Sequence, residues 1–170
     1  WHEAEFLKEH DYSHIRGESN VIRYLPVESV LLRIKDNDEL DEVLATIMAI
    51  KMVGAKIHVS IPKKTRKSEL IWLESKQESF IGKDDEFTRD DEDELIENML
   101  NVQRIRYLHP DNVPQSVYEK LAPSARYVAS EPFVSHGRIE LMHYFIEQSV
   151  SNSYHRYGNL GIKGLTVEQV

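Results

Sequence analysis

Residues 30–62 constrain the fold most. Val30, Leu31, Leu32 and Ile34 form an apolar run interrupted only by Arg33, as expected for a strand covered on both faces. Leu40, Val43, Leu44, Ile47 and Met48 then recur at helical spacing. Asp36, with Glu39 three residues later, reads as a capping-box start for that helix, and Gly54 stands where a helix C-cap belongs. Ile57, Val59 and Ile61 alternate with Lys56, His58 and Ser60 until Pro62 stops the strand. A helix of this length can carry the chain back across a sheet, so the two strands are expected to run parallel with a right-handed crossover. The expected class is α/β: a layered, mostly parallel sheet with flanking helices.

The rest of the chain extends that pattern. Residues 1–16 read as a short helix with Phe6 and Leu7 inward, 17–20 as a turn, and 21–25 as an edge strand ended by Pro26. A basic loop, 63–67, precedes a short helix over 69–77. Residues 83–94 are the most acidic stretch. They read as a mobile loop leading into a helix with Leu95, Ile96, Met99 and Leu100 on its apolar side, the carboxylates favouring its N-terminal dipole. A strand is expected over 104–108, then a helix capped by Asp111 or Asn112 with Pro114 in its first turn, then a strand over 126–129. Residues 138–148 read as an amphipathic helix with Leu141, Met142, Phe145 and Ile146 on one side. No repeat or low-complexity linker interrupts the chain. One domain over 1–170 is the simplest count: an opening helix and edge strand (1–29), an α/β core (30–148) and a tail (149–170).

Several chemistries lack their residues. With no cysteine there is no disulfide, no thiolate metal site and no thiolate nucleophile. The turn 35–39, between the first core strand and its helix, has no glycine and several carboxylates, so an ordinary pyrophosphate site is not expected there. His10 and His14 are four apart, but a metal site needs a third ligand, and a surface pair is expected instead. The acidic stretch lacks the spacing and central glycine of a calcium loop. The basic loop lacks the glycines that let amides approach a phosphate and reads as solvated. No catalytic, cofactor-binding or metal residue is therefore assigned. A net charge of −8 argues against nucleic acid as a partner, and no apolar run is long enough for a transmembrane segment. The opening Trp1-His2-Glu3-Ala4-Glu5 does not read as the basic start of a signal peptide, and the missing initial methionine suggests a piece of a longer protein.

After residue 148, Ser, Asn and Gly favour irregular backbone. Yet Tyr154, His155, Arg156 and Tyr157 stand in a row. Tyr and Arg are enriched where a surface meets a partner, although a tail folded onto its own domain would fit the spacing equally well. The run Glu147-Gln148-Ser149-Val150-Ser151 with Tyr154-His155-Arg156-Tyr157-Gly158-Asn159-Leu160-Gly161 resembles the C-terminal end of the long proline utilization A proteins. Gly17-Glu18-Ser19-Asn20 with Arg23-Tyr24-Leu25-Pro26 is similar to an upstream part of the same region. These are fusions of proline dehydrogenase with pyrroline-5-carboxylate dehydrogenase.

The resemblance implies a degenerate, Rossmann-like domain similar to the coenzyme domain of aldehyde dehydrogenases, not expected to be catalytic alone. It implies a cover that closes the substrate-channelling cavity and docks on the aldehyde dehydrogenase module. Ser149, Ser151, Tyr154, His155, Arg156, Tyr157, Gly158 and Asn159 would form the docking tail. The partners would be the catalytic modules of the same polypeptide, and homo-oligomers are compatible with it. FAD and NAD are expected in the full-length protein and neither in this piece. The expected location is cytoplasmic, at most peripheral to the inner membrane face. The alternative is a self-contained nucleotide- or coenzyme-binding α/β domain.

Overall fold

The structure is a computed structural model, and it describes residues 1–124 and 126–153. The strands are β1 (Glu18–Pro26), β2 (Ser29–Arg33), β3 (Lys56–Pro62), β4 (Glu86–Asp90), β5 (Arg104–Arg106), β6 (Tyr127–Ala129) and β7 (Phe145–Ser153). The α-helices are α1 (Leu40–Met52), α2 (Ser68–Ser75), α3 (Glu92–Met99), α4 (Gln115–Leu121) and α5 (Gly137–Met142). Contacts gather them into two compact units, one of residues 26–144 and one of residues 1–25 with residues 145–153.

The larger unit is built on a five-stranded sheet in the order β4-β3-β2-β5-β6, with every pairing parallel. The strand–helix–strand expectation for 30–62 holds: Val30 pairs with Ile57 and Leu32 with Val59. Gly54 has φ +82, the left-handed conformation that closes a helix without a Cβ penalty, and its N–H reaches Lys51 O. The expected capping box at Asp36 is not formed. The helix starts later, at Leu40, because Asp38 turns back to accept from Lys35 N at 2.8 Å.

Side chains alternate across the sheet, so the two faces separate cleanly. Leu31, Ile105 and Tyr107 share one face and pack against Leu95 and Met99 of α3 and Val117 and Leu121 of α4. On the other face Arg106 meets Glu140 of α5, and α1 packs against α5 and β3. Both faces are covered, which explains the apolar run of β2 and the burial of both the apolar and the polar side chains of β3 from Ile57 to Ile61.

Strand β4 departs from the expected mobile acidic loop. Phe87 and Thr88 suit a pleated sheet, and the segment pairs along β3 from His58–Glu86 to Pro62–Asp90. Its charges obscured that signal. Asp91 then caps α3, accepting from Glu94 N while Glu94 accepts from Asp91 N, a full capping box.

The loop before β4 is tied down by Asp85, which accepts from Ile57 N at 2.9 Å, Gly82 N at 2.5 Å and Lys51 Nζ at 2.5 Å. Burial pushes this carboxyl up, but Lys51 and the two amides outweigh it and hold it below the usual range. Glu74 is held low by its paired bonds from Arg89. A carboxyl depressed in the folded state contributes stability above its unfolded value, near pH ~4, and loses it as pH falls through the folded value. Thermal melts should therefore show stability dropping on the acid side of about pH 4. Asp85→Asn should flatten that limb while lowering stability at neutral pH; an unchanged slope would remove Asp85 from the account.

In the smaller unit β1 and β7 form a two-stranded sheet. Phe6 stacks on Phe145 with centroids 4.6 Å apart, and Tyr24 meets Phe6 edge-on at 4.9 Å. Arg23 Nε donates to Gln148 Oε1 at 2.6 Å. Two expectations fail here. The helix expected over 1–16 is a single π-turn at His2–Phe6, with Phe6 buried and Leu7 exposed. It stops because Asp11 gathers the N–H groups of Ser13, His14 and Asn20 and the Ser13 hydroxyl, which lower its carboxyl to about 2. The helix expected over 138–148 ends at Met142, and the chain from Phe145 becomes β7. Pairing with β1 and burial of Phe145 decide the conformation over the local apolar period.

Candidate functional site

In open parallel sheets ligands sit outside the carboxyl ends of the strands, where the strand order reverses. Here that point lies between β2 and β5. The loop after β2 carries Lys35, Asp36 and Asp38, and the loop after β5 carries His109 and Asn112. Asp38 is buried and ties these segments together. Its Oδ2 accepts from Lys35 N, its Oδ1 accepts from Asn112 Nδ2 at 2.9 Å, and its backbone oxygen accepts from Lys67 Nζ at 2.6 Å. His109 Nε2 stands 3.9 Å from Asp38 Oδ1 and 3.9 Å from Glu42 Oε2. Burial raises the Asp38 carboxyl, against the pull of Lys35 N–H, His109 and Lys67. Thr65 donates to Asp36.

This chemistry does not fit a pyrophosphate. The amide of Lys35, which a phosphate would need, is already taken by a carboxylate, and Asp41 and Glu42 occupy the first turn of α1. An anion placed there would meet Asp36, Asp38, Asp41 and Glu42.

A second polar group runs across β2, β3 and β4. Arg33 Nη1 donates to Ser60 Oγ at 2.8 Å, Ser60 Oγ donates to Asp90 Oδ2 at 2.6 Å, and Thr88 Oγ1 donates to the same oxygen at 2.7 Å. His58 Nε2 lies 2.7 Å from Thr88 Oγ1. Burial pulls the His58 ring down, opposed by Glu86 and Asp90. The alternation of β3 marks His58 and Ser60 as one face, but nothing in their spacing announces that Asp90 would meet them.

Among the residues expected to form the docking tail, Ser149 and Ser151 lie in β7, both exposed. Tyr154, His155, Arg156, Tyr157, Gly158 and Asn159 lie outside the described residues. His10 and His14 share no helical face: His10 Nε2 lies 2.8 Å from Glu5 O and its ring stacks on Tyr12, while His14 sits at φ 47. Among the described residues, no group of three or more His, Asp or Glu side chains could hold a metal, and no helix is long and apolar enough to cross a membrane.

The parallel sheet with helices on both faces makes this an α/β domain. No protein-family model matches the sequence, and no curated protein sequence does either. Solved structures do match, and they are chains of Proline Utilization A. One, from Corynebacterium freiburgense, aligns at 24% identity and a TM-score of 0.54, over 91% of this chain and 12% of that chain. A variant from Bradyrhizobium japonicum aligns at 17% identity and a TM-score of 0.54, over 76% of this chain and 14% of its own. A second variant from that organism aligns at 14% identity and a TM-score of 0.51, over 76% of this chain and 14% of its own. At these identities the likeness is one of fold. The chain shares the fold of a small segment of Proline Utilization A, the family that residues 17–26 and 147–161 resemble.

Proposed function

We propose that this chain is a non-catalytic cover and assembly domain of a bifunctional enzyme that oxidises proline to glutamate through pyrroline-5-carboxylate. It closes the channelling cavity and docks on the aldehyde dehydrogenase module of the same polypeptide. FAD and NAD belong to the catalytic modules. The supporting observation is the two-stranded sheet of β1 and β7. A pair of strands is marginal alone in water and gains from a partner. Strand β7 is exposed over most of its length, and Tyr154, His155, Arg156 and Tyr157 follow it directly in sequence. Tyr rings fill grooves at low entropic cost, and Arg makes planar multi-donor contacts. The acid-filled turn after β2 suits a domain without coenzyme.

The test is deletion of residues 149–161 from the full-length enzyme. Coupled turnover of proline to glutamate is expected to fall, semialdehyde should escape into solution, and the assembly state should change in sedimentation. If all three stay as in the parent enzyme, the reading is wrong.

A further inference from the structure

His58 pairs with Leu31 across the sheet, so it lies on the face that α3 covers, and it is buried there. Its two ring nitrogens meet different surroundings. Nε2 lies 2.7 Å from Thr88 Oγ1, and the Thr88 hydroxyl gives its one proton to Asp90 Oδ2 at 2.7 Å. A carboxylate is the stronger acceptor, so Thr88 Oγ1 must accept from the ring, and this fixes the His58 proton on Nε2. Ser60 holds the arrangement from the far side, donating to the same Asp90 oxygen and accepting from Arg33 Nη1. In the neutral ring Nδ1 is then a bare acceptor. The group 3.4 Å from it is another acceptor, Glu86 Oε2.

A second proton can therefore enter the ring only at Nδ1. An opening of about 200 Å³ at the amino ends of β3 and β4 gives it access, lined by His58, Glu86, Asp84, Lys56, Asn98 and Asn101. Burial pulls the ring down, against Glu86 and Asp90 of β4, which favour its charge. The neighbour on β2, Leu31, is apolar, and α3 with the turn after it brings the neutral Asn98 and Asn101. Asp84 and Lys56 carry opposite charges. Strand β4 stands at the edge of the sheet, with its ladder on β3 alone. Its opening would let a charged ring reach water, which no movement of the doubly paired β2 could do as readily.

We propose that His58 makes the pairing of β4 with β3 dependent on pH: the neutral ring holds the edge strand through Thr88, and protonation at Nδ1 favours its opening. The sign follows from linkage. A ring held below the ordinary histidine value of about 6.5 takes up a proton more readily once it is exposed. Stability from this site is therefore present above pH ~6.5 and is lost as pH falls through the folded value. Asp85 and Glu74 also anchor this edge, but both are held below the usual carboxylate range and titrate in a separate, more acid window. The device is independent of the docking reading, which rests on β7 and the residues after it.

The test uses the 170-residue chain. Nitrogen-15 NMR of the histidine rings reads tautomer and midpoint together, and amide hydrogen exchange of residues 86–90 reads the opening of β4. His58 is expected as the Nε2–H tautomer in base, with its midpoint below that of an exposed histidine. Protection of the β4 amides should fall as pH drops through that midpoint, by about tenfold for each pH unit between the midpoint and the ordinary value, so the two measurements check each other. Glu86→Gln, at an exposed position, should move the His58 midpoint further down and enlarge the loss of protection. His58→Gln keeps an amide donor for Thr88 but cannot titrate, and should leave β4 protection flat over the same range. An Nδ1–H tautomer, a midpoint at or above the ordinary value, or β4 protection that stays level in the parent chain each overturns the proposal. So does a fall in protection that His58→Gln leaves unchanged.

Discussion

Replacing Glu140 with alanine is expected to destabilise the chain by about 3–5 kcal/mol, the cost of stranding a buried charge. Arg106 is 0% exposed and Glu140 3%. Arg106 Nη2 stands 3.2 Å from both carboxylate oxygens, and its Nη1 donates to Glu131 O at 2.6 Å. Tyr144, also fully buried, donates its hydroxyl to Glu140 Oε1 at 2.7 Å. Alanine at 140 would leave a guanidinium without its counter-charge and a phenol without its acceptor, both beyond the reach of water. Urea denaturation of the single variant reads the loss. The double variant Arg106→Leu with Glu140→Leu should recover most of it, because buried apolar pairs often equal buried ion pairs. A single-variant cost below about 1 kcal/mol, the ceiling of an exposed pair, would mean that water reaches Arg106.

Leu31→Ala should cost about 3 kcal/mol, within the range for a buried leucine truncated in a packed core. Leu31 is fully buried in the central strand and packs with Leu95, Met99, Ile105, Tyr107, Val117 and Leu121, which β5, α3 and α4 bring together. The strand cannot shift to fill the hole, because β2 is hydrogen-bonded to β3 on one side and β5 on the other. Met48→Ala is the comparison. Met48 belongs to the same helical period as Ile47 but is 67% exposed, so its truncation should change stability by less than about 0.5 kcal/mol. Equal costs for the two would mean that the helical face has been assigned wrongly.

These two positions differ in how far they could be read in advance. Leu31 stands in an apolar run whose burial on both faces follows from its neighbours alone. Glu140 is one carboxylate in a short charged stretch, and its partner lies 34 residues away. The same contrast runs through the chain. Gly54 announced the end of α1 because a left-handed residue is a local requirement. Asp36 looked equally good as a cap, yet the helix begins at Leu40, since Asp38 was drawn to Lys35 N and Asn112 instead.

The α/β class, the strand–helix–strand unit over 30–62, most helix positions and the lack of cysteine chemistry could all be read from the residues in order. Each follows from the backbone repeat or from a residue type, and both act over a few residues. Long-range pairing and burial were needed to make residues 86–90 a strand, to turn the helix expected over 138–148 into β7, and to choose which carboxylates meet Arg33 and Arg106. Those outcomes depend on partners far away in the chain, whose pairing and burial outweigh local preference by several times its worth.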